Sequence, residues 1–117
     1  MSAMNEQPPE RPAAAGLRID READHGGVAL ILSGELDLAS APSFEQALEE
    51  ARSAQPTRLL IDLRSLVFMD STGLRALLLA RQHAGSGDHQ LVLRRGPHQV
   101  QRVFELTGTL DTFTFED

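Results

Sequence analysis

The stretch that decides the fold is LLIDLRSLVFMDSTGLRALLLAR, residues 59–81. It opens with Leu59–Leu63, a short apolar run typical of a buried strand, after which we expect a short loop. From Leu74 onwards it has the longer apolar pattern of a helix. Between them lies Asp70–Gly73, where Asp, Ser and Thr side chains suit the free amides of a first helical turn. The stretch therefore predicts a strand, a loop and a helix, with Ser71 exposed at the helix N-terminus.

The segments on either side of this stretch predict further strands and helices. Leu17–Arg21 alternates apolar and polar residues and Val28–Gly34 is almost continuously apolar, so we expect a two-stranded hairpin. Pro42 suits the first position of the helix that follows. After the central stretch, Gln90–Arg94 has the pattern of a short strand, and Pro97 opens another helix.

The predicted element order is β-β-α-β-α-β-α, with a possible last strand at Thr112–Phe115. Strand–helix–strand connections imply parallel pairing, whereas the opening hairpin is antiparallel, so the fold class is α/β with a mixed sheet packed against helices. The length fits one domain, which we place at residues 17–117. Residues 1–16 are rich in Pro, Ala, Glu and Gln, a composition that predicts a disordered tail.

The composition excludes several classes of function. The net charge is -6 with no basic run, and Trp and Tyr are absent, so we expect neither a nucleic-acid partner nor an anionic membrane surface. There is no cysteine for disulfides or thiolate sites and no lysine for Schiff-base or P-loop chemistry. No segment is apolar enough to span a membrane and no signal peptide is evident, so a cytoplasmic protein is expected.

Two predicted loops carry the candidate functional residues. One follows the strand at Val28–Gly34 and contains Asp37; the other contains Asp70 and Ser71. Ligands and partners meet a sheet of this kind at the carboxyl ends of its strands. The crossovers should bring both loops to the same edge, so we expect these three residues to share a surface.

An enzymatic role is not favoured. A serine hydrolase elbow needs glycine two residues before the serine, and Met69 occupies that position. Asp37, Asp62 and Asp70 could in principle bind magnesium, but Asp62 lies within an apolar strand and no second motif supports phosphoryl transfer. We therefore expect a protein that is not an enzyme and has no metal or cofactor.

The simplest structural interpretation is that Asp70, Ser71 and Thr72 only cap a helix. Capping does not exclude a regulatory role, because a helix N-terminus also stabilises an added phosphate through its free amides and its dipole. A phosphoserine at position 71 would carry about -1.5 to -2 charges. The fold would tolerate that charge, whereas a partner packed over the helix end would not.

Three segments taken together resemble a STAS domain, and more narrowly the bacterial anti-sigma factor antagonists. They are GELDLASA at residues 34–41, LIDL at residues 60–63 and MDSTGL at residues 69–74. Each would be weak alone, but their order and spacing fit the family. The resemblance covers roughly residues 17–115 and implies the STAS fold.

The resemblance implies a partner-switching mechanism. Antagonists of this family bind an anti-sigma factor that is also a serine/threonine kinase with a histidine-kinase-like ATPase fold, and this binding releases the sigma factor. The kinase then phosphorylates the serine of the motif, the complex separates, and a phosphatase reverses the modification. On this chain Ser71 is the implied phosphorylation site. The implied partner-binding residues are Asp37, Asp70, Ser71, Thr72, Gly73 and Arg75.

The STAS fold also serves other functions, and these alternatives stay open. The first is an accessory subunit that binds a transport ATPase in lipid transport, with no phosphorylation cycle. A stress-signalling scaffold is another. The cytoplasmic end of an anion transporter is disfavoured because the sequence shows no membrane segment.

Overall fold

The computed structural model describes residues 16–87 and 89–117 and the backbone of residues 11–14. In this part of the chain, six strands form one sheet whose strands lie side by side in chain order. They are β1 (Arg11–Ala14), β2 (Leu17–Asp24), β3 (Gly27–Leu36), β4 (Arg58–Met69), β5 (Gln90–Arg94) and β6 (Phe115–Glu116). Strand β2 pairs antiparallel with both β1 and β3, and β3 to β6 pair in parallel. The predicted mixed sheet of an α/β fold is confirmed.

Three helices connect the parallel strands: α1 (Ala41–Ser53), α2 (Ser71–Ser86) and α3 (His98–Thr107). Each helix begins within one residue of the position that the sequence predicts. Pro42 lies in the first turn of α1, and α3 ends at Gly108, whose positive φ of 72° closes the helix in the left-handed conformation that glycine adopts most readily. A 3₁₀ turn, Leu110–Thr112, then leads to β6.

The hydrophobic core lies between the helices and one face of the sheet. Alternate residues along each strand point to this face, and the helices cover them with one apolar stripe each. Burial of each such side chain contributes about 1.5–3 kcal/mol. The largest side chains that are fully buried here include Phe44, Phe104, Leu17, Leu30, Leu32, Leu36, Ile61, Leu63, Leu66 and Leu77.

Strand β4 is longer than predicted. The sequence predicts a loop after Leu63, but β4 continues to Met69. The continuation pairs with β3 as far as Leu36 and Met69, and irregularities in the register leave both Val67 and Phe68 exposed. The predicted loop is wrong because pairing with β3 supplies backbone hydrogen bonds that the local sequence, broken by polar residues, does not reveal.

The two ends of the chain also differ from the prediction. Arg11–Ala14, predicted as part of a disordered tail, form β1 and pair with β2. An edge strand tolerates a proline such as Pro12, because it needs hydrogen-bond donors on one side only. Gly16 also belonged to the predicted tail, but its carbonyl accepts a hydrogen bond from the amide of Glu35 at 2.9 Å. Residues 1–10 and 15 lie outside the described residues, so for them the tail stays a prediction. At the other end, β6 is shifted from Thr112–Phe115 to Phe115–Glu116.

The face of the sheet away from the helices carries a small apolar strip. Ala29, Leu60 and Val92 form it and are almost completely buried, although they are separate from the core that α1, α2 and α3 cover in the described part of the chain. Charged side chains on the same face surround the strip and are linked through a chain of ion pairs with N–O distances between 2.9 and 3.7 Å. We call this the open-face ion-pair chain; in order its members are Asp24, Arg58, Glu116, Arg94, Asp62 and Arg64.

The ion pairs alter the pKa of two of these carboxylates. Burial acts to raise the pKa of Asp62, but hydrogen bonds from Arg64, aided by the charges of Arg64 and Arg94, outweigh burial and bring it below its usual value. Hydrogen bonds from Arg58 and Arg94 likewise lower the pKa of Glu116. Both carboxylates therefore stay ionised to lower pH than they would in the unfolded chain.

Candidate functional site

The carboxyl ends of β3 and β4 lie side by side. Leu36 and Met69, the last residues of the two strands, are partners in register, and the amide of Asp70 donates to the carbonyl of Leu36 at 3.3 Å. The loop that starts at Asp37 and the N-terminus of α2 therefore meet at one edge of the sheet. We call this surface the Ser71 edge; it comprises Asp37, Leu38, Val67, Phe68, Asp70, Ser71, Thr72 and Arg75.

Asp70 is the N-cap of α2. Its backbone is extended, and its Oδ1 accepts a hydrogen bond from the amide of Gly73 at 2.9 Å. Its carbonyl accepts from the amide of Leu74 at 3.0 Å and starts the helical hydrogen bonds. Of the three residues that the sequence offered as caps, the structure thus assigns this function to Asp70 and leaves Ser71 and Thr72 as the first two helical residues.

Ser71 is exposed at the first position of α2. Within the described residues its hydroxyl makes no hydrogen bond, so the oxygen is free to react or to contact a partner. The amides of Ser71 and Thr72 belong to the first helical turn, which has no intrahelical acceptors. Thr72 is half-buried, which makes its hydroxyl the less accessible of the two.

Gly73 is buried and holds α2 close to the end of β3. A Cβ atom at this position would lie 2.4 Å from the carbonyl oxygen of Leu36 and 2.9 Å from the Cγ atoms of Leu36 and Met69. Contact this close excludes any side chain. Gly73 therefore allows α2 to pack closely against the ends of β3 and β4. Its predicted part in partner binding is indirect, because it only keeps the Ser71 edge in place.

Asp37 organises the loop between β3 and α1. Its Oδ1 accepts hydrogen bonds from the amides of Ala39 and Ser40, each at 3.1 Å. The buried hydroxyl of Ser40 accepts from the amide of Asp37 at 3.0 Å and donates to the carbonyl of Glu35 at 2.8 Å. Ser40 was missed by the sequence analysis, although an aspartate followed three residues later by a serine is a recognisable loop motif.

The outer surface of the edge is mostly apolar. Leu38 is 73% exposed, Val67 58% and Phe68 47%. The sequence analysis missed all three, because it placed Val67 and Phe68 in a loop and gave Leu38 no role. Arg75 is exposed one helical turn after Ser71, and therefore on the same side of α2.

The structure does not bring Asp62 to this edge. Asp62 pairs with Ile31 in the middle of the sheet and belongs to the open-face ion-pair chain. Among residues 16–87 and 89–117, no group of three or more His, Asp or Glu side chains is placed to hold a metal ion. In the same part of the chain, no helix has the length and apolar character that crossing a bilayer requires.

The geometry agrees with a comparison against family models. The model described as "Mlab, STAS domain" matches residues 19–113, which include β3, β4, α2 and the whole Ser71 edge. The chain belongs to the STAS domain family. The resemblance of its three sequence segments to this family is thereby confirmed.

Individual relatives of this STAS domain carry a narrower description. It is 37% identical over 92 residues to the anti-sigma-F factor antagonist RsfB of Mycobacterium tuberculosis, covering 78% of this chain and 75% of RsfB. It is 34% identical to the anti-sigma-B factor antagonist of Listeria monocytogenes, with 79% of each covered. The crystal structure of an anti-sigma factor antagonist from Mycobacterium paratuberculosis superposes with a TM-score of 0.77 at 28% identity, over 85% of this chain and 84% of that one.

Proposed function

We propose that this STAS domain is an anti-sigma factor antagonist that is switched off by phosphorylation of Ser71. In the active state it binds an anti-sigma factor that is also a serine kinase, and a sigma factor is released in the cytoplasm. The observation that carries the proposal is the free, exposed hydroxyl of Ser71 at the start of a firmly anchored helix. The names of its relatives support the same class of function.

The position of Ser71 suits a phosphoacceptor. The Asp70 cap and the close packing of Gly73 fix the backbone on both sides of it, so a kinase meets the hydroxyl in a defined place. The helix N-terminus also favours an added negative charge, which means that phosphorylation need not unfold the domain. Thr72 is a poorer acceptor because it is half-buried.

The same position explains how a phosphate would dissociate the complex. It would add about -1.5 to -2 charges to an edge that already carries Asp37 and Asp70. An uncompensated charge buried in an interface can cost several kcal/mol, and about 4 kcal/mol corresponds to a thousandfold change in affinity. A phosphatase that removes the group would restore binding.

The proposed contact residues differ in how they act. Ser71 and Arg75 are exposed and would touch the kinase directly. Asp37 and Asp70 each use one carboxylate oxygen within the chain and would offer the other to the partner. Thr72 would contribute at the margin, and Gly73 only by keeping α2 in place.

The test is an affinity capture from the host's lysate with three baits: wild type, Ser71→Glu and Ser86→Glu. The last is a matched control, since Ser86 is exposed at the other end of the same helix. We expect wild type and Ser86→Glu to retain a histidine-kinase-like ATPase, identified by mass spectrometry, and Ser71→Glu to lose it. Retention of the same transport ATPase by all three baits would instead identify an accessory subunit and refute the switch.

A further inference from the structure

The exposed apolar side chains of this domain are concentrated around Ser71. In the described part of the chain, five large hydrophobic residues are exposed, and Leu38, Val67 and Phe68 belong to the Ser71 edge. Single exposed hydrophobic residues are ordinary on a protein surface, but a group of them at one edge indicates a surface that a partner covers.

The backbone holds these three side chains in place. Phe68 lies opposite Glu35 in the register of β3 and β4, one residue before the pair formed by Leu36 and Met69. Val67 is exposed beside it because of the irregular register. Leu38 follows two residues after the end of β3, in the loop fixed by the Asp37 and Ser40 hydrogen bonds. Side chains on a fixed backbone lose little entropy when a partner covers them.

We infer that Leu38 and Phe68, flanked by Val67, are the apolar anchors by which this domain binds its partner. This inference rests on the proposed function and adds to it which residues of the Ser71 edge supply binding affinity and which residue regulates binding. A few well-packed side chains near the centre of an interface carry most of its binding energy, and this centre is more apolar than the rim. The anchors supply affinity, whereas Ser71 beside them supplies the switch.

The charges around the anchors define the chemistry of the partner. Glu35 lies opposite Phe68 in the register of β3 and β4, and Asp37 directly precedes Leu38. Asp70 follows Phe68 by two residues, and the first cation of α2 is Arg75. A complementary surface is therefore an apolar socket with a basic rim that matches the free carboxylate oxygens of Asp37 and Asp70. A phosphate on Ser71 would add about -1.5 to -2 charges that this rim does not match.

The experiment uses the kinase-like ATPase identified by affinity capture, produced in purified form, and measures its dissociation constant by calorimetry. We expect Leu38→Ala and Phe68→Ala each to weaken binding at least about tenfold. The matched control is Leu106→Ala. Leu106 is 72% exposed but lies near the end of α3, at the opposite edge of the sheet, so its truncation should change binding less than about twofold. The melting temperature should hardly change in Leu38→Ala and Leu106→Ala, because both side chains are more than 70% exposed. Phe68 is 47% exposed, so Phe68→Ala is expected to lose some stability, and its binding is measured well below its melting temperature.

The outcomes separate this inference from the proposed function. Binding that Ser71→Glu abolishes but Leu38→Ala and Phe68→Ala leave intact would overturn the inference and leave the proposed function standing. Failure of the wild type to bind any histidine-kinase-like ATPase would overturn both. Self-association of the wild type that Leu38→Ala abolishes would assign the anchors to a second copy of this chain, and so overturn the inference as well.

Discussion

The open face of the sheet and the Ser71 edge are both charged, but only the first has its charges matched within the chain. On the open face, Asp62 pairs with Arg64 and Arg94, and Glu116 bridges Arg58 and Arg94. At the Ser71 edge, the described residues offer no ion-pair partner to Arg75 and no hydrogen bond to the Ser71 hydroxyl. The matched charges of the open face therefore serve the fold, whereas the unmatched groups of the Ser71 edge are available to a partner.

In both regions the backbone is held in place by contacts within the chain. The backbone of the Ser71 edge is held by the Asp70 cap, the Asp37 loop and the close packing of Gly73 against Leu36. The difference lies in the side chains that point outward. A regulatory surface of this kind combines a fixed backbone with exposed groups that find no partner in their own chain.

The largest effect on stability is expected for Gly73→Ala, which tests whether the Ser71 edge is tightly packed. The new methyl group would meet the Leu36 carbonyl, which cannot move without disturbing β3, so we expect a loss of about 3 kcal/mol in the free energy of unfolding. The matched control is Gly85→Ala in the same helix, where the new Cβ meets nothing within 4 Å. Equal stability of the two variants in urea denaturation would show that the packing is loose.

The second largest loss of stability is expected for Asp62→Ala, which tests whether the open-face ion-pair chain stabilises the fold. Asp62 is buried and accepts hydrogen bonds from Arg64, so its removal should cost about 2 kcal/mol in unfolding free energy. Asp20→Ala is the control, because its exposed pair with Arg18 is expected to contribute less than about 1 kcal/mol. A smaller loss for Asp62→Ala than for Asp20→Ala would contradict the structural role.

The effect of Asp62 also has a predicted pH dependence. Its pKa is lowered in the folded state, so its contribution is complete above the unfolded-state pKa of about 3.9 and is lost as the pH falls through the lower folded value. The gap in stability between wild type and Asp62→Ala should therefore be constant from pH 7 to 5 and shrink below about pH 4. A gap that persists unchanged at pH 2.5 would refute the ionic origin.

The smallest effect is expected for Asp70→Ala, which removes the cap beneath Ser71. Loss of one N-cap hydrogen bond typically costs about 1 kcal/mol, and Asp70→Asn should restore most of it because asparagine caps equally well. Thermal denaturation of Asp70→Ala and Asp70→Asn measures the stability that each variant loses. If Asp70→Asn were as unstable as Asp70→Ala, the carboxylate charge and not the cap would be the important property.

The sequence predicted the fold more completely than the surface. The strands and helices from Leu17 to Thr107 follow from local periodicity and from helix-start signals such as Pro42 and Pro97, and these signals are visible in the sequence. The extension of β4 to Met69 and the pairing of β1 are not, because both depend on hydrogen bonds to a neighbouring strand. The ion pairs of Glu116 with Arg58 and Arg94 join residues 58 and 22 positions apart, which no local pattern reveals.

The motif residues of the candidate site were predicted from the sequence, whereas its exposed apolar residues were missed. Asp37, Asp70 and Ser71 were expected on one surface, and the adjacent ends of β3 and β4 bring them together. The exposure of Leu38 and Phe68 was missed, because apolar residues in sequence suggest a core unless the tertiary structure shows them uncovered. That Ser71 is phosphorylated stays a prediction.

The most direct measurement of the central claim is phosphorylation of the purified domain by the captured kinase, followed by mapping of the modified residue by mass spectrometry. Wild type, Ser71→Ala and Thr72→Ala would be compared with ATP under the same conditions. We predict one phosphate on wild type and on Thr72→Ala, located at Ser71, and none on Ser71→Ala. Full phosphorylation of Ser71→Ala, or no phosphorylation of the wild type by a kinase that binds it, would contradict the switch.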